Sequence, residues 1–282
     1  MDYSKNEIIN NYVTKYYNDY FRLLTAEQGN NFSEEILTGE ENWTNALRFI
    51  MGHLMLRGRS DALSSTYTSF YIQILKLNEP IGREQIRESV TLLEKVLGST
   101  KAGEKSVTLD NLAEEFGVKS DKPNKYKSNT KDLKMIHGLL SHQLRLFYSG
   151  RSNMFDYLSD LIQQTKVTQA YAELIDISNV GDKLAAFTLR DLVFLSTKCH
   201  SVKFQLCDYF MLFPVDTWVK QEGKELLEDG QNEIFSVFKL KYRLINLCKD
   251  QVLMETDPMI PLKLNAGLWY FGAKGRGQSV ID

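Results

Sequence analysis

One lysine in the second half of the chain stands in a context that could make it a nucleophile. Lys183 follows the polar stretch Ile177-Ser178-Asn179-Val180-Gly181-Asp182, which separates two segments with helical apolar spacing, so it falls in the first turn of a helix. A cation is disfavoured at that positive end of the helix dipole. A neutral lysine amine attacks electrophilic carbon and forms Schiff bases with carbonyl groups. Lys183 is therefore a candidate for covalent catalysis.

The stretch before Lys183 is typical of a tight hairpin between two helices. Such a turn needs backbone with positive φ, and Asn179 and Gly181 are residues that accept it. The Val180 side chain can fill the space between the flanking helices. The next helix begins at Asp182 or Lys183, so its free N–H groups and its positive dipole end point out of the turn. The pattern predicts a phosphate-binding feature formed by Asn179, Val180 and Gly181.

A carboxylate stands at the start of a later helical pattern. Asp216 follows Phe213-Pro214-Val215 and precedes Thr217-Trp218-Val219. Aspartate is a favoured N-cap residue because its side chain accepts hydrogen bonds from the first backbone N–H groups of a helix. A carboxylate held in place in that way is suited to face a developing positive charge. We therefore expect Asp216 to cap this helix and to be a second catalytic group.

Together, these two segments resemble the helix–hairpin–helix DNA glycosylase superfamily, whose hairpin follows the pattern L-P-G-V-G-x-K and whose catalytic aspartate comes after a P-V pair. The lysine marks the bifunctional branch, which excises a base and then cuts the strand. The chain between Lys183 and Asp216 has room for an extra helix at about 199–212. That spacing, and the late segment Asn265-Ala266-Gly267-Leu268-Trp269-Tyr270-Phe271-Gly272, are similar to the archaeal 8-oxoguanine glycosylase branch. Ser178 and Asn179 replace the usual P-G, and Asp182 adds an anion beside the expected phosphate.

The resemblance implies an 8-oxoguanine DNA glycosylase with abasic-site lyase activity, acting through a Lys183 Schiff base and β-elimination while Asp216 stabilises the sugar cation. It also implies that Phe187 and Trp269 stack on the two sides of the extruded base and that Asn265 contacts it. The implied partner is double-stranded DNA containing 8-oxoguanine, so the phosphate expected at the hairpin belongs to DNA. We expect a monomer that needs no metal or organic cofactor.

By spacing alone, Phe187 is more typical of a core residue and Trp269 of a core or interface residue. Trp269 lies off the buried stripe marked by Leu264, Leu268 and Phe271, which leaves it available for stacking.

Two other functions fit parts of the same pattern. A glycosylase of this superfamily for another damaged base would share Lys183 and Asp216 and differ in the residues of its pocket. A non-enzymatic hairpin DNA-binding module would keep Val180 and Gly181 but would have no need for either catalytic residue. The joint presence of Lys183 and Asp216 favours an enzyme.

The apolar periodicity along the chain predicts an all-α protein, and the resemblance implies a two-lobed helical helix–hairpin–helix glycosylase fold. Helix-like spacing covers Ser4 to Leu24, begins again at Glu41 or Asn42, and returns at 60–76, 82–97, 107–116, 132–148, 152–164, 166–176, 183–197, 200–212, 217–228, 232–253 and 261–272. No segment shows the strict alternation of a half-exposed strand. By the same resemblance, residues 35–198 form one lobe that ends with the hairpin helices, and residues 1–34 with 199–282 form the other. The first-helix tyrosines, Tyr12, Tyr16 and Tyr20, are expected to pack in the core.

Composition excludes several other classes of protein. The chain has 282 residues, of which 43% are hydrophobic, and its net charge is −2, so it is neither disordered nor uniformly basic. No apolar run is long enough to span a membrane, and the first residues show no secretory signal, so we expect an intracellular protein of the cytoplasm or nucleoid. The 3 cysteines and 4 histidines show no metal-ligand spacing, so no metal site is predicted.

The stretch from Gly98 to Asn129 has the weakest helical pattern and is rich in lysine. Residues 108–118 resemble the first helix and turn of a helix-turn-helix, but a short amphipathic helix ending at Gly117 explains them better, because no recognition helix follows. Cations outnumber the nearby Asp121 and Asp132, and a solvated loop is their simplest role, with phosphate contact as the alternative. These cations are Lys119, Lys122, Lys125, Lys127, Lys131 and Lys134.

Overall fold

A computed structural model describes residues 5–26, 32–56, 61–78, 81–99, 106–117, 127–227, 236–250 and 257–275. These residues are mostly helical, which confirms the predicted all-α class. Their contacts divide the chain into two compact units. The first unit comprises residues 1–33, 159–171 and 185–282, and the second comprises residues 34–158 and 172–184. The division falls within three helices, Met154–Gln163, Val167–Ile175 and Asp182–Leu195.

The helices of the first unit include the N-terminal run and the helices after the hairpin. The N-terminal run consists of Lys5–Asn11, a π-helical turn Tyr12–Tyr16, and Tyr17–Ala26, close to the predicted span. The later elements are the 3₁₀ turn Thr197–Cys199 and the helices Leu206–Leu212, Thr217–Leu226, Val237–Asp250 and Ile260–Tyr270, followed by a π-helical turn Phe271–Gly275. The residues of the predicted segment 232–253 that precede Ser236 or follow Asp250 lie outside the described residues.

The helix Ile260–Tyr270, here called the late helix, packs closely on the N-terminal run. A Cβ atom on Gly267 would lie 2.1 Å from the backbone oxygen of Tyr12, so only glycine permits this approach. Tyr12, Tyr16 and Tyr20 are all buried, which confirms that they pack in the core. The late helix therefore has a fixed position within the first unit.

The helices of the second unit are Glu34–Leu37, Trp43–Leu54, Asp61–Ile74, Arg83–Ser99, Leu109–Glu115 and Thr130–Tyr148, with a 3₁₀ turn at Glu40–Asn42. Thr108 caps Leu109–Glu115 by accepting a hydrogen bond from the Asn111 backbone N–H. The helix is followed by Gly117 at φ 64°, which confirms the expected short helix ending on a glycine.

Two short strands lie in the lysine-rich stretch, where no strand was predicted. Ser106–Thr108 pairs antiparallel with Lys127–Asn129, with Val107 opposite Ser128. Strands of 3 residues are too short for alternation to show in a sequence. Tyr67 and Tyr71 hydrogen-bond to Lys127 and Ser128, so the pair is fastened to the helix Asp61–Ile74. Lys119, Lys122 and Lys125 lie outside the described residues, whereas Lys127, Lys131 and Lys134 are exposed.

The division into units differs from the lobes expected from the sequence. Residues 159–171 and 185–198 belong to the first unit, whereas the expectation grouped them with residues 35–158. The reason lies in the helix Asp182–Leu195, here called the hairpin helix. Its later part carries Arg190, which hydrogen-bonds to Tyr20 and Asn265 of the first unit.

Candidate functional site

The predicted hairpin forms a tight turn in the second unit. The Val180 N–H donates to the Ile177 backbone oxygen at 3.0 Å, and Asn179 has a φ of 65°, so its predicted left-handed conformation is confirmed. Gly181, the other residue that accepts positive φ, does not adopt it. A turn of this size needs a single left-handed residue, and Asn179 supplies it. The hairpin helix begins at Asp182, as expected.

The turn is supported by the helix Thr130–Tyr148. A Cβ atom on Gly138 would lie 3.1 Å from the Ser178 backbone nitrogen and 3.3 Å from Ile177 Cγ2, so the glycine lets the turn approach the helix closely. The Ile177 and Val180 side chains are buried beneath the turn. The hairpin thus has a defined backbone conformation that is supported by buried apolar side chains and by the neighbouring helix.

Polar contacts also fasten the helix that precedes the turn. Arg145 donates to His142 Nδ1 at 2.7 Å and to Asp176 at 2.9 Å, and His142 Nε2 lies 3.5 Å from Glu173. Burial and then the Arg145 charge lower the pKa of His142. A neutral imidazole accepts from Arg145 on one nitrogen and donates to Glu173 from the other, which suits both contacts.

The three predicted phosphate-binding residues are not equivalent in the structure. The Val180 N–H donates to the Ile177 backbone oxygen within the turn. The Val180 side chain is buried, so this residue packs beneath the turn. Asn179 and Gly181 are exposed, and a Cβ atom on Gly181 would meet nothing within 4 Å. The glycine is therefore required neither by its backbone conformation nor by a neighbour in the protein. In the first turn of the hairpin helix, the Leu184 N–H donates to the Gly181 backbone oxygen at 3.0 Å.

Lys183 lies in the first turn of the hairpin helix and is partly exposed. Phe187 follows it by one helical turn, so the two side chains leave the same face of the helix. The Phe187 ring is buried, with 6% of the residue exposed. The roles expected of Lys183 as nucleophile and of Phe187 as a stacking residue stay predictions.

Asp216 caps the helix Thr217–Leu226, here called the capped helix, and this confirms the predicted N-cap. Its Oδ1 accepts a hydrogen bond from the Val219 N–H at 2.9 Å. Phe213 and Pro214 before it are buried, while Asp216 itself is partly exposed. The carboxylate is therefore held by the backbone at one oxygen and still reaches the surface of the first unit.

A fully buried polar network in the first unit was not predicted. Arg190 donates from Nε to Asp191 Oδ1 at 2.9 Å, from Nη1 to Asn265 Oδ1 at 2.7 Å, and from Nη2 to the Tyr20 hydroxyl. Tyr20 in turn donates to Asp191 Oδ2. Burial alone lowers the pKa of Arg190, but Asp191 and then Tyr20 raise it above its ordinary value. Arg190 and Asp191 have no exposed surface.

The sequence contained one signal of this network. Arg190 and Asp191 interrupt a mostly apolar run in the hairpin helix, from Leu184 to Leu195. A charged pair on a buried helix face needs partners of its own, because an unpaired buried charge is strongly unfavourable. Their partners, Tyr20 and Asn265, are too distant in the chain for the sequence to indicate.

Phe187 and Trp269 meet within the first unit, but their rings are not parallel. The ring centroids are 5.9 Å apart and the planes are inclined at 75°. A base stacked between two rings needs parallel faces about 7 Å apart, because each stacked contact takes about 3.5 Å. The Arg190 guanidinium also covers the Phe187 ring at 4.4 Å from its centroid. Stacking of a base on both rings therefore requires the partly exposed Trp269 to reorient.

Asn265 lies one turn before Trp269 on the late helix and has no exposed surface. Its Oδ1 accepts from Arg190, and its Nδ2 donates to the Pro214 backbone oxygen at 2.8 Å. Contact between Asn265 and a base stays a prediction, and in this structure the amide makes hydrogen bonds within the protein through both its oxygen and its nitrogen. The structure thus places the Phe187 and Trp269 rings beside the polar network that contains Asn265. Asn265 also connects that network to Pro214, in the segment before Asp216.

Among the described residues, no group of three His, Cys, Asp or Glu side chains could hold a metal ion. In the same part of the chain, no helix is both long and apolar enough to cross a membrane. The chain matches no family model, no curated protein and no solved structure.

Proposed function

We propose that this protein is a bifunctional DNA glycosylase and abasic-site lyase that excises 8-oxoguanine from double-stranded DNA. The observation that carries the proposal is a pair of local structures at the two places where the sequence resembles the helix–hairpin–helix superfamily. A left-handed Asn179 turn leads into the helix that begins with Asp182 and Lys183. The carboxylate of Asp216 caps a second helix directly after the Phe213-Pro214-Val215 segment.

Lys183 is the proposed nucleophile. Its neutral amine forms a bond to C1′ of the damaged nucleotide while the glycosidic bond breaks and the base leaves with the bonding electrons, taking up a proton. The sugar ring then opens to give a Schiff base between C1′ and the lysine nitrogen. Loss of a C2′ proton and departure of the 3′ phosphate complete β-elimination, because the iminium accepts the electrons of the C2′–H bond. No metal or organic cofactor is needed for these steps.

Asp216 is the proposed electrostatic partner in base excision. Positive charge develops on the sugar as the glycosidic bond lengthens, and a carboxylate fixed beforehand stabilises that charge without having to reorganise. The hydrogen bond from Val219 to one oxygen fixes Asp216 and leaves the second oxygen for this task or for deprotonating Lys183. The same carboxylate has no sugar cation to stabilise when the base is already absent.

The DNA would be held mainly through its phosphates. With a net charge of −2, binding relies on a local contact instead of the field of the whole protein. The exposed Asn179 and Gly181 and the N-terminus of the hairpin helix support a role in phosphate binding. The damaged nucleotide must leave the stack, since its C1′ is unreachable in a duplex, and stacking on Phe187 or Trp269 would offset part of that cost.

Covalent trapping tests the proposal. Duplexes that each carry one defined lesion are incubated with the protein and borohydride, which reduces the Schiff base to a stable amine and leaves a cross-linked complex. We expect trapping with 8-oxoguanine DNA and none with Lys183→Gln, which should still bind DNA. Lys203→Gln, a change of an exposed lysine of the first unit that lies outside the hairpin, is the control and should trap normally.

The same experiment separates the alternatives. Trapping with a different lesion instead of 8-oxoguanine would indicate a glycosylase of another specificity. DNA binding without trapping or strand cleavage on any lesion would indicate a hairpin DNA-binding module. Undiminished trapping by Lys183→Gln would exclude Lys183 as the nucleophile.

A further inference from the structure

The segment just before Asp216 is tied to the interior of the first unit by one side chain. Pro214 is buried, and its backbone oxygen accepts a hydrogen bond from Asn265 Nδ2 at 2.8 Å. Two residues later, Asp216 accepts from the Val219 N–H at 2.9 Å. The chain that carries the carboxylate is therefore fastened on both sides, upstream by Asn265 and downstream by the start of the capped helix.

The Asn265 amide is itself held in one orientation. An amide can present its oxygen or its nitrogen to a neighbour, and only the nitrogen can donate to the Pro214 oxygen. Arg190 Nη1 donates to Asn265 Oδ1 at 2.7 Å, and a guanidinium has no acceptor that could serve the reversed amide. Arg190 thus directs the Asn265 nitrogen towards Pro214.

Arg190 cannot easily change its own position. Its Nε and Nη2 atoms donate to Asp191 and Tyr20, and none of its surface is exposed. Its guanidinium lies 4.4 Å from the centroid of the Phe187 ring and 4.7 Å from that of Tyr20. The buried Arg190 guanidinium therefore packs on the Phe187 ring, which is expected to stack on the base. Through Asn265, it also holds the segment that carries Asp216.

We propose that Asn265 and Arg190 are positioning residues that fix the Asp216 carboxylate for base excision. This inference rests on the proposed function and assigns these residues a part in it through Pro214, without contact with the reacting atoms. A group that stabilises developing charge acts best when its surroundings hold it in place before the reaction. Displacement of such a group by about 1 Å can reduce the rate by about 10²-fold.

The test compares base excision with cleavage of a ready-made abasic site in single-turnover reactions. Asn265→Ala removes both hydrogen bonds of the amide. We expect excision of 8-oxoguanine to fall by about 10–100-fold and abasic-site cleavage by about threefold or less, because the displaced Asp216 matters most for the sugar cation. A merely structural role would lower both activities together, in proportion to the folded fraction.

Asn153→Ala is the matched control. Asn153 is also buried, and its amide nitrogen donates to the Leu37 and Gly39 backbone oxygens at 2.7 and 2.8 Å, within the second unit. Its loss should lower both activities equally, if at all. Arg190→Lys is the second variant. Lysine keeps the positive charge beside Asp191, but it lacks the planar guanidinium that donates to Asp191 and to Asn265 at the same time. It should show the same separation of the two activities as Asn265→Ala.

Hydrogen exchange gives a readout that does not depend on activity. In Asn265→Ala, the peptide covering residues 213–220 should exchange faster, while the helix Thr130–Tyr148 should be unaffected. Unchanged exchange of residues 213–220 would overturn the positioning role, and so would an equal loss of excision and abasic-site cleavage in both variants. If the unaltered protein excises no lesion, the proposed function fails, and the exchange result alone then decides whether Asn265 fixes this segment.

Discussion

The hairpin and the segment around Asp216 are held in place in opposite ways. The hairpin relies on its backbone: the Val180 N–H closes the turn, Asn179 is left-handed, and Gly138 lets the turn approach the neighbouring helix. Its polar residues Ser178 and Asn179 are exposed. The segment before Asp216 instead relies on buried side chains, above all Asn265.

This difference matches the tasks proposed for the two regions. A surface that binds phosphate must leave backbone N–H groups open to the ligand, so its conformation has to come from the turn itself. A carboxylate that faces a developing cation must be fixed in advance, which takes a rigid and dry surrounding. Changes in the buried network should therefore lower the free energy of unfolding and the rate of base excision. Changes at the hairpin should instead lower the affinity for DNA.

The largest effect on stability is expected from Arg190→Met. The change removes the cation beside the buried Asp191 carboxylate, and breaking a buried ion pair in this way typically costs about 3–5 kcal/mol. Urea unfolding followed by circular dichroism measures the loss. The double variant Arg190→Met with Asp191→Leu removes both charges and should recover much of it, because a buried pair replaced by apolar residues is often nearly neutral. A single variant as stable as the original protein would show that the network contributes little.

The largest effect on base excision is expected from Asp216→Asn. Asparagine still accepts the hydrogen bond from Val219, so the free energy of unfolding should fall by less than about 1 kcal/mol. Loss of the negative charge should lower excision by about 10²–10³-fold, with a smaller loss in abasic-site cleavage. Single-turnover assays on the two substrates measure this ratio.

Two outcomes would change the role given to Asp216. An equal loss of both activities in a folded protein would mean that the carboxylate acts mainly by deprotonating Lys183. Unchanged excision would leave Asp216 as a helix cap alone, and the buried network would then have no catalytic group to position.

Features that depend on neighbouring residues could be predicted from the sequence. Most helix spans followed from apolar spacing, although the segment predicted at 200–212 is helical only over Leu206–Leu212. The Asp216 cap and the left-handed Asn179 followed from residue type and immediate context. The two paired strands were not predicted because a strand of 3 residues is too short to show the alternation of apolar and polar residues. Residue type named both Asn179 and Gly181 as able to take positive φ, and only Asn179 takes it.

Features that join distant segments could not be predicted. The network around Arg190 brings together Tyr20, Pro214 and Asn265, which lie in separate parts of the chain. Periodicity placed Trp269 away from the main buried stripe, in agreement with its partial exposure. The angle between its ring and that of Phe187 depends on packing that no local pattern encodes.

A moderate effect is expected from Gly267→Ala, which probes the late helix that carries Asn265 and Trp269. The added Cβ atom would lie 2.1 Å from the Tyr12 backbone oxygen, so the helix must shift. Such overpacking typically costs about 1–3 kcal/mol. A shifted late helix also moves Asn265, so excision should fall more than abasic-site cleavage. Thermal unfolding and the two single-turnover assays measure these effects, and unaltered stability would contradict the close approach.

The smallest effect on stability is expected from Gly181→Ala at the hairpin. Gly181 has no positive φ, and an added Cβ atom meets nothing within 4 Å, so the folded state accepts alanine without strain. Alanine also restricts the unfolded chain, which typically adds about 0.4–1 kcal/mol of stability. If a DNA phosphate approaches the backbone here, the same methyl group stands in its way. We expect DNA affinity to fall by about 3–10-fold, equivalent to about 0.7–1.4 kcal/mol.

Gly82→Ala is the control for this change. Gly82 directly precedes the helix Arg83–Ser99, has no positive φ, and an added Cβ atom there likewise meets nothing within 4 Å, so its effect on stability should be similar. It has no proposed contact with DNA, and its affinity for a lesion-containing duplex should be unchanged at every salt concentration. Fluorescence anisotropy at several salt concentrations measures both variants. An affinity of Gly181→Ala equal to that of Gly82→Ala would mean that no phosphate approaches the hairpin backbone. The exposed turn would then serve only to connect two helices, and DNA contact would have to come from another surface.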